Sequence, residues 1–401
     1  MDPRSRSKER RLGTTRLSKL LNLDDFQRAA KRHLPRPIYE YIAGAVEDNR
    51  SLLANTQSFQ RYAFVPRVLR NVSGRSGARS LFGHSYAWPF GFAPMGISAL
   101  SAYRGDIVLA QAAGQMNLPM IMSGSSLIRL EEVVKANPNA WFQAYLPGDE
   151  ANIRGLIARV VASGFQTLVI TVDTPVAANR ENNVRAGFST PLRPSLRLAW
   201  DGITHPRWLL WTFLRTLYKH GIPHFENNYA HRGAPIISPS VERDFSDRGH
   251  LDWSHLSLIR ALWPGTLVVK GILHPDDARR AVEAGANGLI VSNHGGRQLD
   301  GSVAPLRVLP AIIAACPDVP VMLDGGIRRG SDVVKALALG AAFVFIGRPF
   351  NFAAAVGGEE GVLHAARLLA QEVSRNMGML GICSLDELDR SVLMGVDEAF
   401  S

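Results

Sequence analysis

Residues 266–296 read TLVVKGILHPDDARRAVEAGANGLIVSNHGG, and the order of patterns inside them decides the fold. TLVVKGI (266–272) is a short apolar run, HPDDARRAVEAGA has a helical pattern, and GLIV (288–291) is a second apolar run that breaks into glycines and polar residues. An apolar run that ends in Gly-rich polar residues marks a strand leaving a core and entering a loop. Two such strands joined by a helix make a βα unit, and repeated units imply a parallel sheet. His294 and Arg297, three residues apart in SNHGGRQLDG (292–301), then sit on a loop carried by a rigid scaffold, where functional residues concentrate. A lone histidine there reads more readily as a tight turn with a surface side chain, so the remainder of the chain has to decide.

Six further runs share the pattern: FGFAPM (90–95), LPMIMSG (118–124), WFQAYL (141–146), TLVITVDTP (167–175), VMLDGG (321–326) and AFVFIGR (342–348). Helical stretches such as GSDVVKALALGA separate them. Eight βα units in about 260 residues match a (β/α)8 barrel, an α/β fold of TIM type whose reactive groups lie where the strands end. A doubly wound open sheet is the competing architecture, but no G-x-G-x-x-G opens the first βα turn.

The chain has 401 residues, 46% of them apolar, enough to bury a large core. Its two cysteines, Cys316 and Cys383, have no ligand-type spacing, so neither a disulfide framework nor a thiolate metal site is indicated, and no metal is expected. The N-terminal stretch MDPRSRSKERRLGTTRLSKL is basic without the apolar core of a secretory signal, and no apolar run is long enough to span a bilayer. The expected location is cytoplasmic, with peripheral attachment to the inner face of a membrane kept open. A formal charge of +10, concentrated in this tail and in 185–232, admits nucleic acid, an anionic membrane or an acidic ligand. Without zinc-finger spacing, an aromatic RNA-binding signature or a long basic helix, nucleic acid is set aside.

In a barrel the eight strand ends converge on one mouth. Here they supply Pro94, Met95 and Gly96; Ser123 and Ser125; Gln143 and Tyr145; Thr171 and Asp173; Lys270; Ser292, His294 and Arg297; Asp324, Gly326 and Arg328; and Gly347 and Arg348. Any one could be structural, but eight chemically capable ends together are not a chance pattern. LDGGIRRGSD and FIGRPF each place glycine and arginine between a strand and a helix, where backbone N–H groups and a guanidinium can hold a phosphate. Helix capping with solvated arginines is the plain alternative. Lys270 weighs against it, because a lysine ending an apolar strand costs desolvation energy unless it faces a permanent partner. A phosphorylated cofactor with a negative region would provide both partners.

TVDTPVAANRENN (171–183), VVKGILHPDDARRAVEAGANGLIVSNHGGRQLDG (268–301) and LDGGIRRGSDVVKALALGAAFVFIGRP (323–349), with LPRPIYEYIAGAVED (34–48) and WFQAYLP upstream, resemble the FMN-dependent 2-hydroxy acid oxidase and dehydrogenase family, which includes glycolate oxidase, L-lactate dehydrogenase and mandelate dehydrogenase. The resemblance runs from about Leu23 to Leu388 in the family's motif order and is weak between Pro191 and Asp252. It implies FMN as cofactor and oxidation of an L-2-hydroxy acid to the 2-oxo acid, with electrons passing from the α-carbon to flavin N5 and then to a quinone-type acceptor. His294 matches the base, Asp173 the carboxylate that pairs with it, Arg180 and Arg297 the guanidiniums that hold the substrate carboxylate, and Tyr41 and Tyr145 the hydroxyls that orient the acid. Lys270 matches the lysine beside flavin N1 and O2. Pro94, Met95, Gly96, Ser123, Gln143, Thr171, Ser292, Asp324, Gly325, Gly326, Ile327, Arg328, Gly347 and Arg348 complete the implied FMN site. The resemblance also implies a homo-oligomer, a tetramer.

The departures carry information as well. YIAGAVED (41–48) replaces YYASGAED or YLEGGAED of relatives, Ser125 aligns with a tryptophan of glycolate oxidase and Ala177 with a leucine, which implies a roomier pocket, and Gly96 matches a glycine of several dehydrogenases. HPRWLLWTFLRTLYKHG (205–221) puts Leu210, Trp211, Leu214, Leu217 and Tyr218 on one helical face and Thr212, Arg215 and Lys219 on another, a pattern suited to an anionic membrane interface or to packing on the chain's own barrel. The organisation expected is a basic flexible tail (1–21), a barrel preceded by a helical segment (22–388) with a lid-like amphipathic insertion after the fourth strand (about 186–250), and a C-terminal tail (389–401). Three rival readings remain: a soluble oxidase that reduces O2 to H2O2, an FMN barrel without oxidative chemistry, and a membrane-binding module.

Overall fold

The computed structural model describes residues 17–189, 193, 195–238 and 248–396. Most of the basic tail and part of the insertion lie outside the described residues. Each of the eight apolar runs contains a barrel strand: β1 (Phe90–Phe92), β2 (Ile121–Ser123), β3 (Trp141–Ala144), β4 (Thr167–Thr171), β5 (Thr266–Ile272), β6 (Gly288–Val291), β7 (Val321–Asp324) and β8 (Val344–Ile346). All pair in parallel, in chain order from β2 to β8, and β8 pairs back onto β1. A parallel bridge between Phe92 and Met120, with Phe92 N–H donating to Pro119 O at 2.9 Å, closes the seam between β1 and β2. The fold is therefore a (β/α)8 barrel. Several runs extend beyond their strands because their last residues, such as 172–175 and 292–296, already form the mouth loops.

The period of two along a strand explains why the runs look continuously apolar yet end in polar groups. Phe142, Leu168, Val269, Leu289 and Leu323 pack outward in the layer that contains the helices, while Ile121, Trp141, Val169, Val268, Ile290 and Met322 fill the lower interior. A hairpin, Arg79–Leu81 with His84–Tyr86, plugs this end, with Phe82 5.6 Å from the Trp141 ring and Tyr86 5.6 Å from that of Phe343. Two residues further along the same strands come Ser123, Gln143, Thr171, Lys270, Ser292 and Asp324. The barrel thus has a dry apolar base and a polar upper floor, which fixes the site at the C-terminal ends of the strands.

The N-terminal helices reach over this mouth. Asn22 caps the helix Leu23–His33 by accepting from Asp25 N–H at 2.9 Å, and the helix Arg36–Ala43 carries Tyr41 to the rim. Asp300, the aspartate of SNHGGRQLDG, accepts from the backbone N–H groups of Asp48 (3.1 Å) and Ser51 (2.8 Å), joining the loop after β6 to the start of the helix Arg50–Gln57. At the other terminus, Leu393–Gly395, within the segment expected to be a tail, pairs antiparallel with Tyr62–Phe64, because this strand has backbone partners on the body of the protein.

The insertion is sewn to the barrel by buried polar groups. Trp208 Nε1 donates to Leu100 O (2.7 Å), Asn227 Nδ2 to Ile128 O (2.8 Å), and Arg159 to Glu226 O (2.8 Å) and Tyr229 O (3.0 Å). Its helix from Pro206 to His220 contains a π-helical stretch, Leu209–Leu214. Leu210, Trp211, Leu214 and Tyr218 are exposed rather than packed on the barrel, while Thr212, on the other face of the pattern, is buried and Leu217 is only half exposed.

Candidate active site

The mouth encloses a cavity of about 690 Å³. Tyr41, Pro94, Met95, Gly96, Tyr145, Arg180, Lys270, His294, Arg297, Asp324, Gly325, Gly326, Ile327, Arg328, Gly347 and Arg348 line it, and all of them were picked out by the sequence. Ser123, Gln143, Thr171 and Ser292 are buried in the polar floor, and Asp173 stands behind His294.

His294 Nδ1 donates to Asp173 Oδ1 at 2.9 Å, and both side chains are largely enclosed, at 17% and 12% exposure. Nε2 faces Tyr145 Oη at 3.4 Å. The His294 backbone is left-handed (φ +57°), a conformation that costs a non-glycine residue about 1–3 kcal/mol and is retained where surroundings enforce it. Ser292 Oγ enforces it by accepting the His294 N–H (3.0 Å), while Lys270 Nζ donates to the same oxygen (2.9 Å). Gly295 follows at φ +66°, and a Cβ there would lie 2.6 Å from an Arg348 nitrogen. Gly271 plays the same part on β5: at φ +106° it gives Asp173 room, since a Cβ would meet that side chain at 2.7 Å. Gly271 and Gly295 are therefore space for charged neighbours.

Burial lowers the His294 pKa below the ordinary imidazole value, although the Asp173 charge and hydrogen bond oppose it. Burial works against the charged form of Asp173 too, but His294 and Lys270 hold its carboxyl below the usual range. Lys270, buried and 3.1 Å from Asp324 Oδ2, has its ammonium form favoured because Asp324 and Asp173 outweigh desolvation. The site thus keeps a neutral imidazole next to a fixed carboxylate and a fixed ammonium.

Cations dominate the remaining walls. Arg297 donates to Tyr41 O (2.7 Å) and Gly44 O (2.9 Å), and Arg180 to Arg297 O (3.2 Å) and Gln298 Oε1 (2.6 Å). Arg348 donates to Ile42 O (2.9 Å), Gly44 O (2.9 Å) and Gly295 O (3.0 Å), and Arg328 to Ile327 O (2.9 Å). Burial, then the Arg180 charge, brings Arg297 down to about 10; burial, then Arg297, Arg328 and Arg180, depresses Arg348 well below the usual guanidinium range. Guanidiniums crowded this way, held by carbonyls, favour anionic ligands.

The residues also fit FMN. Gln143 Nε2, Thr171 Oγ1 and Asp324 Oδ1 are buried without a hydrogen-bond partner among the described residues, an arrangement costly in a closed protein and suited to a heterocycle with several polar edge atoms. The loops after β7 and β8 present Gly325, Gly326 and Gly347 beside Arg328 and Arg348, where barrels hold phosphate.

Other participants have no distinctive sequence signal. Asn55 and Asn293 form a buried reciprocal amide pair (2.7 and 2.8 Å), and Asn293 Oδ1 also accepts the Gly296 N–H (3.1 Å), fixing the loop that bears His294. Gln298 Nε2 donates to Asp173 O (3.2 Å). Phe188 packs tilted against Tyr41 with ring centroids 4.7 Å apart, and with Phe225 and Ile236 it makes an apolar wall. Arg248 lies over the Tyr145 ring.

A parallel barrel that gathers a His–Asp pair, a buried lysine and arginine-bearing glycine loops at its C-terminal mouth has the parts a flavin-nucleotide oxidoreductase needs. Residues 30–395 match the model of the FMN-dependent dehydrogenase family. The chain is 39% identical over 380 residues to L-lactate dehydrogenase of Stenotrophomonas maltophilia strain R551-3, covering 93% of this chain and 98% of the relative. It is 34% identical over 375 residues to (S)-mandelate dehydrogenase of Pseudomonas putida, covering 93% and 94%. A crystal structure of the monotopic membrane protein (S)-mandelate dehydrogenase superposes with a TM-score of 0.87 over 94% of this chain and 99% of that one. The chain belongs to the FMN-dependent dehydrogenase family. It is an FMN enzyme of the 2-hydroxy acid dehydrogenase or oxidase type.

Proposed function

We propose that the protein oxidises an L-2-hydroxy acid to the 2-oxo acid and passes the electrons to a quinone-type acceptor at a membrane surface. The observation that carries this reading is the His294–Asp173 pair, closed at 2.9 Å on one side and open to the arginine-lined cavity on the other. Bound FMN supplies the two-electron acceptor for the substrate's α-carbon. Arg297 and Arg180 bind the substrate carboxylate, and the Tyr41 and Tyr145 hydroxyls orient the acid. His294 Nε2 takes up the proton that the substrate releases, and Asp173 stabilises the imidazolium. Lys270 sets fixed positive charge against the charge that builds on reduction. Gln143, Thr171 and Asp324 would hold the flavin ring, and Arg328 and Arg348 the phosphate. Ser125, Ala177 and the Phe188–Phe225–Ile236 wall leave room for a substrate side chain larger than that of glycolate.

The acceptor and location rest on the insertion. Leu196, Trp200 and Ile203 on one helix, and Leu210, Trp211, Leu214 and Tyr218 on the next, are exposed, Trp211 at 65% and Tyr218 at 84%. Arg207, Arg215 and Lys219 accompany them, the composition of an interfacial helix pair. No helix among the described residues is long and apolar enough to cross a membrane, and the structurally similar mandelate dehydrogenase is a monotopic membrane protein. Trp208 and Phe213 stack on each other at 5.4 Å and face inward, so they are poor probes of this surface.

Exchanging Trp200, Trp211 and Tyr218 for serine is expected to release the protein from anionic liposomes while leaving dye reduction within about twofold, since these side chains lie away from the cavity. Wild-type enzyme reduced by the acid should pass electrons to a short-chain quinone at least about tenfold faster than to O2. Peroxide formation at the quinone rate, with no liposome binding, would make the protein a soluble oxidase.

A further inference from the structure

We propose that Arg248, at the exit of the insertion, is a positioning residue that holds the Tyr145 ring against His294; the inference rests on the role given above to Tyr145. The Tyr145 hydroxyl meets His294 Nε2 at 3.4 Å, too long for a hydrogen bond that could fix a ring on its own. The two rings lie 6.4 Å apart and 25° from parallel, so the Tyr145 orientation has to come from what covers its face. The Arg248 guanidinium carbon lies 4.8 Å from the Tyr145 ring centroid, and Arg248 is only 7% exposed. A cation over an aromatic face gains strength when desolvated, and a planar guanidinium restricts the ring beneath it more than an ammonium does.

The segment that delivers Arg248 is itself held. Leu251 N–H donates to Arg248 O (3.1 Å), and His250 Nε2 bonds Gly148 O on the loop after β3. A Cβ on Gly249 would lie 3.9 Å from Pro175 O, on the loop after β4. Residues 248–250 are thus tied to the loop that follows Tyr145 and pass beside the loop that carries Asp173. Burial pushes the Tyr145 phenol above its usual pKa, with Lys270 and Arg248 opposing, so it remains a proton donor at neutral pH. Its value to the reaction then depends on where the O–H points, which the clasp determines.

The test is a double-mutant cycle on FMN-loaded enzyme, read as the anaerobic flavin-reduction rate at saturating L-lactate or (S)-mandelate, whichever reduces the wild type. Arg248→Met should lower this rate about tenfold with FMN content unchanged, and Arg248→Lys should recover part of the loss. In the Tyr145→Phe background, Arg248→Met should change the rate less than about twofold, because no hydroxyl remains to be placed. An equal fold-loss in both backgrounds, or no loss from Arg248→Met alone, overturns the proposal. Should Arg248→Met fail to fold, the same cycle with Arg248→Lys is read in the same way. A wild-type enzyme that neither acid reduces contradicts the reading of the site itself, and is thereby distinguished from failure of the Arg248 assignment.

Discussion

His294→Gln is expected to keep FMN bound and to slow its anaerobic reduction by about a thousandfold or more. Glutamine can still reach Asp173, now 2.9 Å from Nδ1, and fill the imidazole's place, so the expected loss is one of proton acceptance more than of packing. The pH dependence separates the two. Burial holds the His294 pKa below 6.5, against the pull of Asp173, so the base is competent above that lowered value and is lost as pH falls through it. The acid limb of kcat/KM in the wild type should therefore lie below 6.5, and should vanish in the variant. A variant reduced at near wild-type rate would remove His294 from the mechanism.

Lys270→Met should destabilise the protein by about 3–5 kcal/mol, the cost of breaking a buried ion pair by removing one partner. The lysine and Asp324 side chains are 4% and 8% exposed and 3.1 Å apart, so the variant leaves a carboxylate uncompensated in the barrel floor. It also strips Ser292 Oγ of the ammonium that helps to hold the His294 backbone. Denaturant unfolding with FMN in excess measures the loss. Adding Asp324→Asn should return part of it, because the orphaned charge then disappears. A loss below about 1 kcal/mol in Lys270→Met would show the pair to be no more than a surface-like contact.

The barrel was legible because parallel strands are buried on both faces. Trp141, Phe142, Val268 and Val269 read as unbroken apolar runs, and the polar residues that end them mark the mouth. The base, its carboxylate, Arg297, Arg328 and Arg348 were legible for the same reason, since each sits within a few residues past a strand, whereas Arg180 lies well beyond the end of β4 and was named only through the family resemblance. Arg248 and Asn55 were not, because they approach the site from segments remote in sequence and lack any local pattern. Thr212 lies opposite the exposed Leu210–Trp211–Leu214–Tyr218 face, as the pattern has it, but the pattern could not tell that this opposite face is the one turned inward. Asp300, in the same SNHGGRQLDG stretch, was given no role by the sequence, and its hydrogen bonds go to the Asp48 and Ser51 backbone.

The central claim, that this mouth oxidises an L-2-hydroxy acid through FMN, is tested most directly by mixing purified, FMN-loaded wild-type protein with L-lactate or (S)-mandelate in the absence of oxygen. The account predicts that one of these acids bleaches the flavin absorbance with about one 2-oxo acid formed per FMN, and that the opposite enantiomer does not. A flavin that dithionite bleaches but that stays oxidised at high concentrations of both acids would contradict it.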